Sequence, residues 1–272
     1  MGEDMICAEM SCNHAGDFKR AQDIVRAARW AGADAVKLQC WSPDTMVPDD
    51  GARAPAPWQH LTLFELYRQA FTPWEWLEPL RDQILQAGMR SVVSVFDEGA
   101  LNFCWHRLGG WDLFKVASPE ATDTVLLEAV GAANVDVVIS GGSLTGAGLQ
   151  KAVRTCLDAG AKSAIPCWCV SKYPAHPSEF GLTEAAVRLL EWGLSDHSRG
   201  IGVSVAAAAL GATYIERHLT LERDFPTLDA SFSLRPTDLR RMVKACHEAR
   251  AAVFGSARPV VGMKRTDKGR VL

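Results

Sequence analysis

The chain lacks most of what would mark it for a membrane, a nucleic acid or a secreted scaffold. Its 272 residues carry 29 Lys and Arg against 32 Asp and Glu, a net charge of −3. There is no surplus of positive charge for a phosphate backbone to select. No apolar run approaches the ~18 residues that a membrane-spanning helix needs. The longest candidate, Val203–Ala209, stops at Leu210-Gly211 and reads as a buried Ala-rich helix. Residues 1–16 hold Glu3, Asp4 and Glu9 and lack the basic start and apolar centre of a secretion signal, so we expect a cytoplasmic protein. The 8 cysteines are too few for a disulfide scaffold, and none forms a C-x-x-C pair. We read them as reduced, buried, small apolar residues. What remains, 48% hydrophobic and 22% charged, is the mix of a folded globular chain.

A repeated pattern supplies the fold. A helix-like stretch ends at Gly and is followed at once by a short apolar run. Ala31-Gly32-Ala33 precedes Ala35–Leu38, Ala87-Gly88-Met89 precedes Val92–Val95, and Ala159-Gly160-Ala161 precedes Ser163–Cys167. Leu210-Gly211-Ala212 before Tyr214-Ile215 is a fourth case, with weaker copies before Leu113–Val116, Val135–Ile139 and Leu194. Gly is the usual left-handed helix stop, and a β-branched run buried on both faces is the usual parallel strand. With the opening run Ile6–Met10, this predicts eight strands. Helices are expected over Asp17–Trp30, from Thr72-Pro73, and over Leu239–Val253. Eight strands alternating with helices over about 250 residues make a (β/α)₈ TIM barrel. An open doubly wound sheet fits less well, because Met10-Ser11-Cys12-Asn13-His14 stands where its Gly-rich loop belongs. We expect one α/β domain over 1–255 and a basic C-terminal tail, a linker remnant, over 256–272. The Pro- and Asp-rich segment Trp41–His60 reads as a long loop and candidate lid.

In such a barrel the chemistry projects from the carboxyl ends of the strands. Those ends carry Glu9 and Asn13, Lys37 and Gln39, Ser94, Lys115 with Ser118 and Glu120, and Ser140. Ser171 and Tyr173, Ser195-Asp196-His197, and Glu216 with His218 complete the circuit. Lys37 and Lys115 each interrupt an apolar run, where an unpaired ammonium would be costly. Two lysines and several hydroxyls in one barrel mouth describe a pocket for a multiply charged anion. The alternative is that each Lys pairs with a buried carboxylate for structure alone. His197 and His218 end neighbouring strands and can share one divalent ion, water and substrate filling its other positions. Among the other histidines only His14, just above the first strand, draws notice.

These blocks resemble the N-acetylneuraminate (sialic acid) synthase family. Ala8–Asp17 is similar to the family's A-E-I-G-x-N-H-x-G-D opening. Gly193-Leu194-Ser195-Asp196-His197-Ser198-Arg199-Gly200 resembles G-x-S-D-H-T-x-G, and Gly211–Leu221 resembles G-A-x-x-I-E-K-H-F-T-L. Ala31–Gln39, Phe114–Glu120 and Cys169–Ala175 match in the same order, so the likeness runs from about residue 6 to 255. It implies a metal-dependent condensation of phosphoenolpyruvate with the aldehyde of a sugar, giving a chain-extended 2-keto acid and phosphate. It also implies that Lys37, Ser94, Lys115, Ser118, Ser140, Ser171 and Ser195 hold phosphoenolpyruvate, and that His197 and His218 hold Mn²⁺ or Mg²⁺. Glu120, Gln39, Tyr173 and Asp229 would face the sugar and the attacking water, with Glu120, Glu9 and Lys115 as the catalytic groups. A homodimer is expected.

Three departures concern the sugar half of the site. Family members continue into an antifreeze-like domain, whereas only the short tail follows residue 255 here, and a separate lid protein is one expectation that follows. The family's G-P-D-H is Thr227-Leu228-Asp229-Ala230, and its I-S-T-G-M is Ile139-Ser140-Gly141-Gly142-Ser143. Trp41, Trp58 and Trp168 are expected to reshape the mouth, the first two by stacking on the acceptor. Two other readings stay open: a metal-dependent aldolase or isomerase, and a non-catalytic sugar-acid-binding pseudo-synthase.

Overall fold

A computed structural model describes residues 4–54, 58–189 and 191–255; the tail expected over 256–272 lies outside them. Eight parallel strands close into a barrel, each hydrogen-bonded to its neighbours in chain order. They are β1 (Met5–Glu9), β2 (Ala35–Cys40), β3 (Arg90–Val95), β4 (Leu113–Val116), β5 (Asp136–Ser140), β6 (Ser163–Cys169), β7 (Gly193–Ser195) and β8 (Tyr214–His218). The closing pair is β1 with β8, in register from Met5 opposite Tyr214 to Glu9 opposite His218. Each predicted strand is present. The first ends one residue early because Met10 turns out of the sheet into a 3₁₀ turn, Ser11–His14.

Helices cover the outside. The first half carries α1 (Phe18–Ala31), α2 (Pro43–Met46), α3 (Leu63–Ala70), α4 (Leu77–Gln86) and α5 (Glu98–Asn102). The second half carries α6 (Thr124–Ala132), α7 (Gly146–Asp158), α8 (Leu182–Arg188), α9 (Gly202–Ala209) and α10 (Pro236–Phe254). Asp17, Asp123 and Thr145 cap α1, α6 and α7 by accepting from backbone N–H groups of the first turn. Gly32 stops α1 at φ 87°, a left-handed conformation that costs other residues more. Pro73 does not open a helix directly: it precedes the 3₁₀ turn Trp74–Trp76, and α4 follows. None of the described helices is long and apolar enough to cross a membrane.

The period of two along each strand sorts side chains between two cores. Outward residues such as Ile6, Val36, Leu38, Val93, Phe114, Val137 and Ile215 pack against the helices. Inward residues Met5, Cys7, Ala35, Val92, Leu113, Val138, Ile165, Cys167 and Tyr214 fill the barrel. One step toward the carboxyl end, the same inward rows become Glu9, Lys37, Ser94, Lys115, Ser140, Ser195 and Glu216, all buried. The alternation is therefore what places charge on top of a dry plug. Between Glu216 and His218 the next residue, Arg217, faces outward, within 2.6 Å of Asp196, and Nη2 donates to the Ser198 carbonyl at 2.8 Å. Asp196 also accepts from Ser204 Oγ on α9 at 2.6 Å.

The loop after β2 is more built than its composition suggests. Trp41 is buried; its indole donates to Gln39 Oε1 at 3.0 Å, and its ring packs on Tyr67, Phe71 and Phe96. It supports Gln39 rather than offering a stacking face. Trp168 points outward from β6 and donates to the Phe180 carbonyl, so it does not shape the mouth. Trp58 is half-buried and lines a groove of about 400 Å³ with Leu66, Phe71 and Phe225.

The α6–α7 contact yields a stability test. A Cβ on Gly131 would sit 2.4 Å from the Cys156 carbonyl oxygen and 2.7 Å from Ala159 Cβ. Gly131→Ala would gain about 1 kcal/mol of helix propensity, but wedging backbone apart costs about 1–3 kcal/mol. We expect a net loss in urea titration; a variant more stable than the parent would show that the two helices separate freely.

Candidate active site

Glu216 is the hub of the barrel mouth. Its Oε1 lies 3.2 Å from Lys37 Nζ and accepts from Ser195 Oγ at 3.1 Å. Its Oε2 accepts from Lys115 Nζ at 2.9 Å and from Tyr214 Oη at 2.6 Å. Lys37 Nζ is also 2.9 Å from Glu9 Oε2. Glu9 Oε1 accepts from the Ser11 backbone at 2.7 Å and from Gln39 Nε2 at 3.0 Å. Burial opposes ionisation of Glu216, but Lys115 and Lys37 hold its carboxyl well below the usual carboxylate range. Burial likewise opposes the charge on Lys37, yet Glu216 and Glu9 raise it above an ordinary lysine. Both lysines are thus paired with buried carboxylates, the outcome that sequence reasoning placed second. Two cations against two carboxylates leave the cluster neutral.

Next to this cluster stand the histidines, ring centroids 5.5 Å apart. His197 Nδ1 lies 2.9 Å from the Val170 carbonyl, which can only accept, so Nδ1 carries the proton and Nε2 the lone pair. Burial, with His218 adding to it, pushes the His197 imidazole down to about 4, so it is neutral at pH 7. The Ser195 hydroxyl lies 3.2 Å from Nε2 but has one proton, which Glu216 also draws. His218 Nδ1 is buried 3.1 Å from Asp229 Oδ2, off the line a hydrogen bond needs. Burial opposes ionisation of Asp229 and His218 favours it, leaving the carboxyl below its usual range. Tyr173 covers His197 at 4.3 Å, and Phe232 packs on both imidazoles.

A neutral His197 whose Nε2 keeps its lone pair, beside the His218 imidazole and the Asp229 carboxylate, is a donor set that suits a divalent cation. No three His, Cys, Asp or Glu side chains close a metal cage among the described residues. An ion here would rest on His197 and His218 with its other positions open.

The remaining expected residues are less tightly drawn together. Ser94 Oγ is 3.4 Å from the Lys115 carbonyl, and Ser140 is buried at the top of β5. Ser118 Oγ accepts from the Ser143 backbone at 2.7 Å. Ser171 is exposed, beside Gly142, where a Cβ would fall 2.4 Å from its Oγ. Glu120 sits in a 3₁₀ turn above β4; its Oε2 is buried without a hydrogen-bond partner, and burial raises its carboxyl. His14 belongs to the scaffold, bonded to Thr72 Oγ1 at 3.1 Å and edge-on to Trp76. Sequence reasoning gave Glu216 no role and passed over Tyr214. The signal was present: Tyr214, Glu216 and His218 share one face of a strand at a period of two.

The NeuB family model matches residues 24–258. The chain is 32% identical over 259 residues to a pseudaminic acid synthase of Campylobacter jejuni, covering 91% of this chain and 74% of that one. The chain belongs to the NeuB family. It is also 32% identical to a spore coat polysaccharide biosynthesis protein of Bacillus subtilis, over 94% of this chain and 70% of the relative. The crystal structure of the N-acetylneuraminic acid synthetase of Leptospira borgpetersenii superposes with a TM-score of 0.83 at 25% identity, covering 96% of this chain and 88% of that one. Membership in the NeuB family agrees with the closed barrel and with the resemblance carried by the strand-end blocks.

The scaffold histidine gives a pH test. Burial pushes His14 down to about 4 from 6.5 in the unfolded chain. The unfolded chain takes up the proton first, so this group's contribution is complete above pH 6.5 and is lost as pH falls towards 4. Between pH 7 and 5, His14→Gln should lose less stability than wild type, by on the order of 2 kcal/mol. Denaturant titrations at the two pH values check this; equal losses would mean His14 titrates normally.

Proposed function

We propose that this chain is a phosphoenolpyruvate-dependent synthase that joins C3 of the enol to the aldehyde carbon of a sugar-type acceptor, releasing a chain-extended 2-keto acid and phosphate. The observation that carries the proposal is the pair of buried lysines sharing Glu216 beside the His197 and His218 imidazoles, in a NeuB barrel.

Lys37 and Lys115 point at one place from β2 and β4, and would hold the phosphate and carboxylate of phosphoenolpyruvate with Ser94, Ser118, Ser140, Ser171 and Ser195 around them. Because Glu9 and Glu216 already balance the lysines, a multiply charged substrate needs further positive charge. His197 and His218 would hold a divalent ion, Mn²⁺ or Mg²⁺, which when bound would supply that charge and Lewis acidity toward the acceptor carbonyl. The new carbon–carbon bond leaves cationic character at C2, which water captures before phosphate departs. Glu120, kept toward its protonated form by burial, suits proton transfer near the acceptor oxygen. Glu9, fixed by Lys37, Ser11 and Gln39, serves as the charge that orients Lys37. Gln39, Tyr173 and Asp229 border the acceptor side. An aldolase or isomerase that works through a carboxylate-rich metal cage is less well supported, because no such cage forms among the described residues.

Phosphate release from phosphoenolpyruvate should require both an aldose and a divalent metal, across a panel of aldoses with and without N-acyl groups. Lys37→Met and Lys115→Met should each weaken phosphoenolpyruvate binding by about 2–5 kcal/mol, the cost of leaving a buried charge unpaired. His197→Ala and His218→Ala should each abolish Mn²⁺ binding in calorimetry with the fold intact. Unchanged phosphoenolpyruvate affinity in both lysine variants, or turnover that survives exhaustive chelation, would overturn the anion and metal assignments respectively.

A further inference from the structure

The two lysines cannot share a carboxylate unless that carboxylate is held still. Glu216 sits on β8 with its oxygens spread between Lys37 and Lys115, on β2 and β4. Each oxygen takes one ammonium and one hydroxyl: Oε1 takes Lys37 and Ser195, Oε2 takes Lys115 and Tyr214. Of the two hydroxyls, Ser195 is committed to the mouth, because it also lies 3.2 Å from His197. Tyr214 is different. Its side chain is fully buried in the apolar plug below the cluster, and its Oη reaches up to Oε2 at 2.6 Å, the shortest contact Glu216 makes. The Lys115 ammonium lies 5.8 Å from the centre of the same ring. Space for the ring comes from the neighbouring strand, since a Cβ on Gly193 would fall 3.0 Å from Tyr214 Cβ and 3.1 Å from Cδ1.

We propose that Tyr214 is a positioning residue for the anion site: its phenol locks Glu216 in the orientation that spaces Lys37 and Lys115 for phosphoenolpyruvate. The phenol needs nothing from the substrate and is far too enclosed to touch it. It also neighbours the buried Cys7 thiol, but its link to the lysines runs through Glu216. Without the hydroxyl, Oε2 would keep one cation and an unused lone pair in a dry interior. The carboxylate would then turn toward whichever lysine lay nearer, and the two ammonium groups would lose their common reference. This inference rests on phosphoenolpyruvate being the anion, and the test separates the two.

The test is a double-mutant cycle on the full chain with Mn²⁺ present. Tyr214→Phe keeps the ring that fills the plug and removes only the hydroxyl. Its dissociation constant for phosphoenolpyruvate in calorimetry should rise about 5- to 30-fold, with KM for phosphoenolpyruvate rising alike and kcat changing less than threefold. In a Glu216→Gln background the same substitution should add less than twofold, because the residue it acts through has already changed. A merely structural role would lower the melting temperature and leave this split and this non-additivity absent. Unchanged affinity in Tyr214→Phe, or an equal effect in both backgrounds, overturns the proposal. Wild type that binds no phosphoenolpyruvate overturns the substrate reading and this inference together. Should Tyr214→Phe fail to fold, the buried Tyr214 hydroxyl proton can be followed by NMR in wild type. It should shift on saturation with phosphoenolpyruvate, and a fixed resonance overturns the proposal.

Discussion

One buried carboxylate sets the terms for the barrel mouth. Glu216 can stay charged in a dry interior only because four groups from β2, β4, β7 and its own strand converge on it. Lys37 and Lys115 are tolerable in the same interior only because Glu216 and Glu9 face them. Removing one partner from such a set leaves the others exposed to the full cost of desolvation. The closed sheet is what makes the arrangement possible, since only closure brings side chains from strands half a turn apart to one point.

Packing and electrostatics divide the work by depth. The lower inward rows are apolar and exclude water, which strengthens every charge interaction directly above them. The upper rows are polar and face the loops. Around the histidines, Tyr173 and Phe232 add an aromatic wall that limits water without satisfying the imidazole nitrogens. The mouth is therefore preorganised: both lysine charges are matched by carboxylates, while the His197 lone pair meets only a hydroxyl whose proton Glu216 also draws.

Much of this was legible in the sequence. The Gly-then-apolar repeat marked seven strands and the opening apolar run the eighth, because helix stops and doubly buried strands are local features. Lys37 and Lys115 stood out as charges in apolar runs, and His197 and His218 as imidazoles at the ends of neighbouring strands. The pairing of the lysines was harder to see, because Glu216 lies 101 positions from Lys115 and nothing local joins them. Trp41 and Trp168 were misjudged for a related reason. Strand alternation alone turns Trp168 away from the mouth, and burial of Trp41 depends on Tyr67, Phe71 and Phe96, which only the folded loop collects.

The outward-facing Arg217 gives β8 a second property. Along three successive residues the strand carries an acid inside, a base outside and an imidazole inside, and each side has its own buried complement. Inside, Glu216 meets lysines; outside, Arg217 meets Asp196. A slip of one residue would bury Arg217 among the lysines and leave Asp196 facing another carboxylate or an imidazole. Mis-registered pairings of this strand are thus penalised by like-charge repulsion on the inner face and by loss of the ion pair on the outer one. The same alternation that builds the reaction centre proofreads the closing seam of the barrel as it folds.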